Sequence, residues 1–159
     1  MNIRESRETP HELRLDLPAA HSAERLARAV MRQFLQREGI AANEVDAIEF
    51  VASELLSNAV DHGVGNAAME ESDAPPSVRV QFGLLVKPDG WEMRVSDQGG
   101  GDPERVQALI EDPDLPGPDD ERGRGFFLLK SMLAELKVER SDDGEGLVFI
   151  ARGRHERGH

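Results

Sequence analysis

Cysteine is absent from the chain, which excludes a disulfide framework and any thiolate chemistry. No apolar run approaches the roughly 20 residues that a membrane-spanning helix requires, so no membrane association is expected. The opening stretch MNIRESRETP carries no apolar signal-peptide region, and a soluble protein of the cytoplasm is the expectation. Positive charge is also scarce: 19 Lys plus Arg against 31 Asp plus Glu leave a net charge of −12. Such a surface repels a polyanion, which argues against nucleic acid as a partner. Two nucleotide fingerprints are missing as well. Neither G-x-x-x-x-G-K-[ST] nor G-x-G-x-x-G occurs, so a P-loop and a Rossmann site are both excluded.

What the chain does have is enough apolar content for one core. At 159 residues and 38% hydrophobic composition it has the size of a single domain. HELRLDL (11 to 17) alternates Leu13, Leu15 and Leu17 with polar neighbours, the period of a half-buried strand, and Pro18 stops it. From Ser22, read as an N-cap, the residues Ala23, Leu26, Ala27, Val30, Met31 and Phe34 recur at helical steps until Gly39. Asn43 is the cap expected for a second helix, with Val45, Ile48, Ala52, Leu55 and Ala59 on one stripe and Gly63 at its end. SVRVQFGLLV and WEMRVSD, joined by KPDG, predict an antiparallel hairpin.

After Asp97 the texture changes to a long stretch rich in glycine and proline, with one short helix expected over Val106 to Ile110. Long loops in compact domains are usually functional or disordered. FFLLKSMLAEL resumes helical spacing, and KVERSDDGEGLVFIAR reads as a last hairpin. The order contains no βαβ repetition. It predicts an α+β domain, a two-layer α/β sandwich with helices on one face of a mixed, mainly antiparallel sheet.

The second helix holds the first functional clue. At about 100° per residue, Glu54, Asn58 and Asp61 fall within roughly 60° of arc, on a flank of the apolar stripe. A solvated helix face is one account of that line. The presence of Val51 and Ala47 on the same flank favours another, in which the line borders the core and its carboxylate has a partner. Downstream, VSDQGGG ends a strand with Asp97 followed by Gly99, Gly100 and Gly101, residues that allow a close backbone approach. ERGRGFF places Gly123 and Gly125 ahead of a helix, with Arg122 and Arg124 beside them, where free N–H groups favour phosphate.

These three elements, in this order, resemble the GHKL ATP-binding superfamily, and within it the small bacterial anti-sigma-factor serine/threonine kinases. The family's helical N-box, Glu-x-x-x-Asn, is matched by Glu54 and Asn58. Its first glycine box, Asp-x-Gly-x-Gly, is matched by Asp97, Gly99 and Gly101, and its second, Gly-Arg-Gly, by Gly123, Arg124 and Gly125, with Phe126 following. The likeness runs from LRLDLP to GLVFIARG. It implies the Bergerat form of the two-layer sandwich, as a single domain over residues 11–153 between a flexible N-terminus (1–10) and a flexible tail (154–159).

The resemblance implies roles as well. Asn58 would hold Mg²⁺ through its amide oxygen, a hard ligand suited to that ion. Asp97 would accept a hydrogen bond from the adenine amino group of ATP, and Gly99 and Gly101 would let the chain turn beneath the nucleotide. Residues 102–122 would form the ATP lid, and Gly123 to Phe126 would lead the phosphates onto a helix N-terminus. Glu54 would act as catalytic base, chiefly by orienting the attacking hydroxyl. Asp61 lies on the same line and is open to two accounts, contact with bound water or metal and a structural role at the helix end. Asp102-Pro103 and the Phe126-Phe127 pair depart from the family's usual apolar and small aliphatic residues.

The implied partners are a small antagonist protein of the STAS type, which is phosphorylated, and a sigma factor, which is held inactive. A homodimer built near the first strand and helix is also implied, and the alternating LRLDL edge is compatible with it. The alternative function is a regulatory module that binds ATP and partner proteins with little or no phosphoryl transfer. Residues 155 to 159, HERGH, spell H-E-x-x-H, the pattern of a zinc hydrolase. A glycine-bearing chain end should fray, and a solvated tail is the expected account.

Overall fold

The computed structural model describes residues 4–9, 11–18, 20–63, 79–96, 104, 107, 129–140 and 146–155. The elements in chain order are β1 (Arg4–Thr9), β2 (Glu12–Pro18), α1 (His21–Arg37), α2 (Ala42–Gly63), β3 (Arg79–Val86), β4 (Gly90–Ser96), β5 (Glu135–Arg140) and β6 (Leu147–Arg154). The strands form one sheet in the order β1-β2-β3-β4-β6-β5. Every pairing among the described residues is antiparallel, in line with the mainly antiparallel sheet expected. Both helices lie on one face, α1 against β2 and α2 against β3 and β4. This is the α+β two-layer arrangement.

The core follows from alternation. Leu13, Leu15 and Leu17 of β2, Val80, Phe82 and Leu84 of β3, and Trp91, Met93 and Val95 of β4 all point toward the helices and are buried. They meet Val45, Ile48, Ala52, Leu55 and Ala59 of α2, the stripe read from spacing, all at 1% exposure or less. Each fully buried aliphatic side chain of this kind contributes about 1.5–3 kcal/mol. The face of α1 is rotated from the one expected. Leu35 is fully buried, whereas Leu26 is 41% exposed, because the inward arc centres nearer Met31 and Leu35.

Several local expectations are corrected. Ala20, in extended conformation, caps α1 and makes no side-chain cap bond, so Ser22 is not the cap but lies in the first turn. The α2 helix begins at Ala42, with the N–H of Val45 donating to the carbonyl of Ala41, which places Asn43 inside the helix. Gly39 does end the first helical segment, at φ +80°. Residues 1 to 10 were expected as a flexible lead-in, yet 4–9 are a strand paired along β2. That pairing covers the LRLDL edge, so β2 is an interior strand with no free edge for a second copy.

At the other end, the helix expected through FFLLKSMLAEL is described only over 129–132 and gives way at Glu135 to β5. Pairing of Glu135 with Arg152 and of Leu136 with Ala151 outweighs the helical spacing of those residues. Of the loop helix expected over 106–110, Gln107 is described and is helical.

Candidate nucleotide site

Glu54 and Asn58 sit one turn apart on α2 and are both half-buried. Their neighbours Val51, Leu55 and Leu56 are buried, and Ala47 on the same flank is half-buried. The polar line therefore borders the core and is not an open solvated face, as the flanking residues suggested. The amide oxygen of Asn58 is a hard donor of the kind that suits Mg²⁺, which takes few protein ligands and keeps its waters, and the half-buried Glu54 carboxylate lies one turn away. Among the described residues there is no group of three or more His, Asp or Glu side chains that would hold a metal by itself.

The α2 helix packs across β3 and β4, and β4 ends at Ser96, the residue before Asp97. The first glycine box is thereby launched from a strand beneath the helix that bears Glu54 and Asn58. Asp97, Gly99, Gly101, Gly123, Arg124, Gly125 and Phe126 themselves lie outside the described residues, as does the side chain of Asp61, whose backbone is within α2. Leu129, four residues past the second box, is fully buried in the main core cluster. That burial anchors the chain just beyond the box.

Charge pairs join α1 to α2 and strand to strand. Arg32 of α1 reaches Asp46 at 2.5 Å and Glu49 at 3.0 Å, both on α2. On the face of the sheet away from the helices, Arg79 pairs with Asp16 at 3.0 Å, and Arg152 pairs with Glu92 at 2.7 Å. Burial pushes the Glu92 carboxyl up, but the hydrogen bond from Arg152 and the nearby charges of Arg94 and Lys87 outweigh it and hold the group below its ordinary value.

Two contacts escaped the sequence. Gln107 binds the backbone of β5, with Val138 N–H donating to its side-chain oxygen at 2.7 Å. His155, assigned to a solvated tail, is docked: Nδ1 lies 2.8 Å from Glu44 Oε2 and Nε2 lies 2.7 Å from the carbonyl of Lys87. The only signal for the second was an acidic residue early in α2, and acids are common there for dipole reasons alone.

An antiparallel sheet under a helix with an ordered Glu/Asn pair, followed by two glycine boxes, defines an ATP-binding domain of the GHKL type. The chain belongs to the histidine kinase-like ATPase domain family, HATPase_c_2, which matches residues 17–151. It is similar to the anti-sigma F factor of Geobacillus stearothermophilus, 25% identical over 146 residues that cover 89% of this chain and 92% of the relative. It is 26% identical over 143 residues to the anti-sigma F factor of Clostridium acetobutylicum, with the same coverage of each chain. Two solved structures share the fold. One is the SiaB-SiaC complex from Pseudomonas aeruginosa, with TM-score 0.66, 13% identity and coverage of 91% of this chain and 90% of the other. The second comprises the RsbU and RsbW domains of Rv1364c from Mycobacterium tuberculosis, with TM-score 0.61 and 21% identity. The alignment covers 94% of this chain but 34% of that longer one. No helix among the described residues is long and apolar enough to cross a membrane.

Proposed function

We propose that this chain is a Mg-ATP-dependent serine/threonine protein kinase of the cytoplasm that acts as an anti-sigma factor. It phosphorylates a small antagonist of the STAS type and, when free of that antagonist, sequesters a sigma factor. The observation that carries this reading is the half-buried Glu54, one turn from Asn58 on the helix over β4. A domain that only bound nucleotide would need Asn58 and the glycine boxes but has no use for a carboxylate in that place. The relatives named as anti-sigma F factors support the choice of partners.

In this reading the adenine is fixed by Asp97 and the phosphates by the backbone of Gly123, Arg124 and Gly125, which Phe126 follows, with Gly99 and Gly101 turning beneath the nucleotide. Asn58 holds Mg²⁺ through its amide oxygen. When bound there, that ion would supply positive charge against the phosphates. Glu54 accepts a hydrogen bond from the attacking hydroxyl and takes its proton as the oxygen bonds to the γ-phosphorus. The bond from that phosphorus to the β–γ bridging oxygen breaks, and ADP leaves. Most of the rate enhancement comes from positioning and charge neutralisation, so Glu54 acts chiefly by orientation.

The test is labelled-phosphate transfer from ATP to candidate antagonist proteins of the same genome. Glu54→Ala should keep nucleotide affinity and lose transfer, whereas Asn58→Ala and Asp97→Ala should lose binding. Transfer by Glu54→Ala at the wild-type rate would overturn the base assignment. Nucleotide-dependent partner binding with no transfer by the wild type would make the chain a regulatory switch.

A further inference from the structure

Glu54 stands in the middle of a line on α2. Asn58 is one turn beyond it and Phe50 one turn before it, each about 6 Å away along the helix axis and offset by about 40°. All three are half-buried. Phe50 is the one large apolar side chain of α2, among those described, that is not buried: Val45, Ile48, Val51, Leu55 and Leu56 are each at 1% exposure or less. Part of Phe50 packs against the core. At about 100° per residue it lies opposite the centre of the buried stripe, so the remainder of the ring is apolar surface on the outer side of the helix. One turn back along the same line, the Asp46 carboxylate is paired with Arg32 at 2.5 Å.

In the kinase reading above, Mg²⁺ and the phosphates occupy the Asn58 side of Glu54. A hydroxyl oriented by Glu54 then belongs to a chain that crosses the other side, where Phe50 is. We propose that Phe50 is a specificity-determining residue for the phosphate acceptor: it receives a bulky apolar side chain of the acceptor protein, close to the serine or threonine that presents the hydroxyl. This rests on the kinase reading. The turn of about 6 Å between Phe50 and Glu54 corresponds to one or two residues of an extended acceptor chain, which rises about 3.3 Å per residue. The pairing of Asp46 with Arg32 offsets the nearest charge on the far side of Phe50, so apolar contact is what this turn offers. Packing two apolar surfaces together removes both from water, and rigid aromatics are frequent anchors of protein contacts. Asn58 lies about 12 Å from Phe50 along the axis, so the effect falls on the acceptor and not on the nucleotide.

The test measures labelled-phosphate transfer from ATP to the STAS-type antagonist that the wild type phosphorylates, using wild type, Phe50→Ala and Phe50→Leu. Each is assayed against the native antagonist and against one changed to alanine at the apolar residue one or two positions from the modified serine or threonine. Phe50→Ala should raise KM for the antagonist about tenfold, with kcat and the affinity for a fluorescent ADP unchanged, the pattern of lost uniform binding. Phe50→Leu keeps apolar bulk against the core and should show a smaller rise; it carries the comparison if the alanine variant fails to fold. The antagonist's alanine change should raise KM with wild type and add little with either Phe50 variant, because each change removes the same contact. Additive losses, or a matching fall in ADP affinity, would assign Phe50 to structure and overturn the proposal. An acceptor site with no apolar residue within two positions overturns it too. If wild type transfers phosphate and both Phe50 variants keep its KM for the antagonist, this inference alone falls. If wild type phosphorylates no antagonist, the kinase reading falls and takes the inference with it.

Discussion

The ring of His155 joins the first turn of α2 to the far end of the sheet: Nδ1 lies 2.8 Å from Glu44 Oε2, a contact spanning 111 positions of sequence. Its Nε2 lies 2.7 Å from the Lys87 carbonyl, and its own backbone N–H donates to the carbonyl of Asp89 at 3.2 Å. Both ring nitrogens face acceptors. A neutral imidazole donates from one nitrogen only, so the imidazolium is the form that satisfies both.

Stability should therefore fall with rising pH through this group. Burial opposes the charge on His155, yet the hydrogen bonds to Glu44 and the Lys87 carbonyl, with the nearby carboxylates of Glu44 and Asp89, raise its pKa above the ordinary value. A raised folded value means the contribution is fully present below the unfolded pKa, near 6.5, and is lost as pH rises through the folded one. His155→Ala should cost about 2 kcal/mol at pH 6, since it removes a charge-assisted hydrogen bond to the buried Glu44 carboxylate, and the gap to wild type should narrow at higher pH. Urea denaturation of both proteins across this range measures it. A gap independent of pH would assign His155 to packing alone.

The same end of the sheet depends on two glycines. A Cβ at Gly153 would lie 2.5 Å from ring carbons of Trp91, and one at Gly90 would run into the backbone of Gly153. Gly153→Ala and Gly90→Ala should each destabilise by about 1–3 kcal/mol, with Gly90 the worse because backbone yields less than a side chain. Trp91 is the only tryptophan, so its emission reports the change directly.

Gly39 and Gly83 form a contrasting pair. Both have open space where a Cβ would stand, but Gly39 has φ +80°. Gly39→Ala should cost about 1–2 kcal/mol through backbone strain alone. Gly83→Ala, on β3, should be neutral or stabilising by about 0.5 kcal/mol through reduced freedom of the unfolded chain. Thermal melts of the two variants side by side separate backbone strain from the entropy of the unfolded chain.

Nucleotide binding should appear as a thermal shift. ATP at 100 times its dissociation constant stabilises the folded chain by about 2.7 kcal/mol. Chelation with EDTA should shrink the shift, Asn58→Ala should abolish it, and Glu54→Ala should preserve it. No shift with saturating Mg-ATP would remove the basis of the kinase reading.

The division between what was legible and what was hidden follows contact range. The stripe of α2, the β3–β4 hairpin and the helix stop at Gly39 were readable because each depends on residues within a turn or two of one another. Glu54 and Asn58 were readable for the same reason, since helical geometry alone puts them on one line. The cap of α1 was misread because Ser22 looks like a cap in isolation, whereas the chain leaves β2 in a way that makes Ala20 the boundary.

By itself, the sequence determined the α+β character, the apolar faces and the ordered set of boxes that identify the family, all properties of local spacing and composition. Tertiary structure decided that β1 covers β2, that Glu135 and Leu136 join a strand instead of prolonging a helix, that Gln107 caps an edge N–H of β5, and that His155 is docked on Glu44. Each of these rests on a pairing whose stabilisation exists only once distant segments have been brought together, and no periodicity along the chain records it.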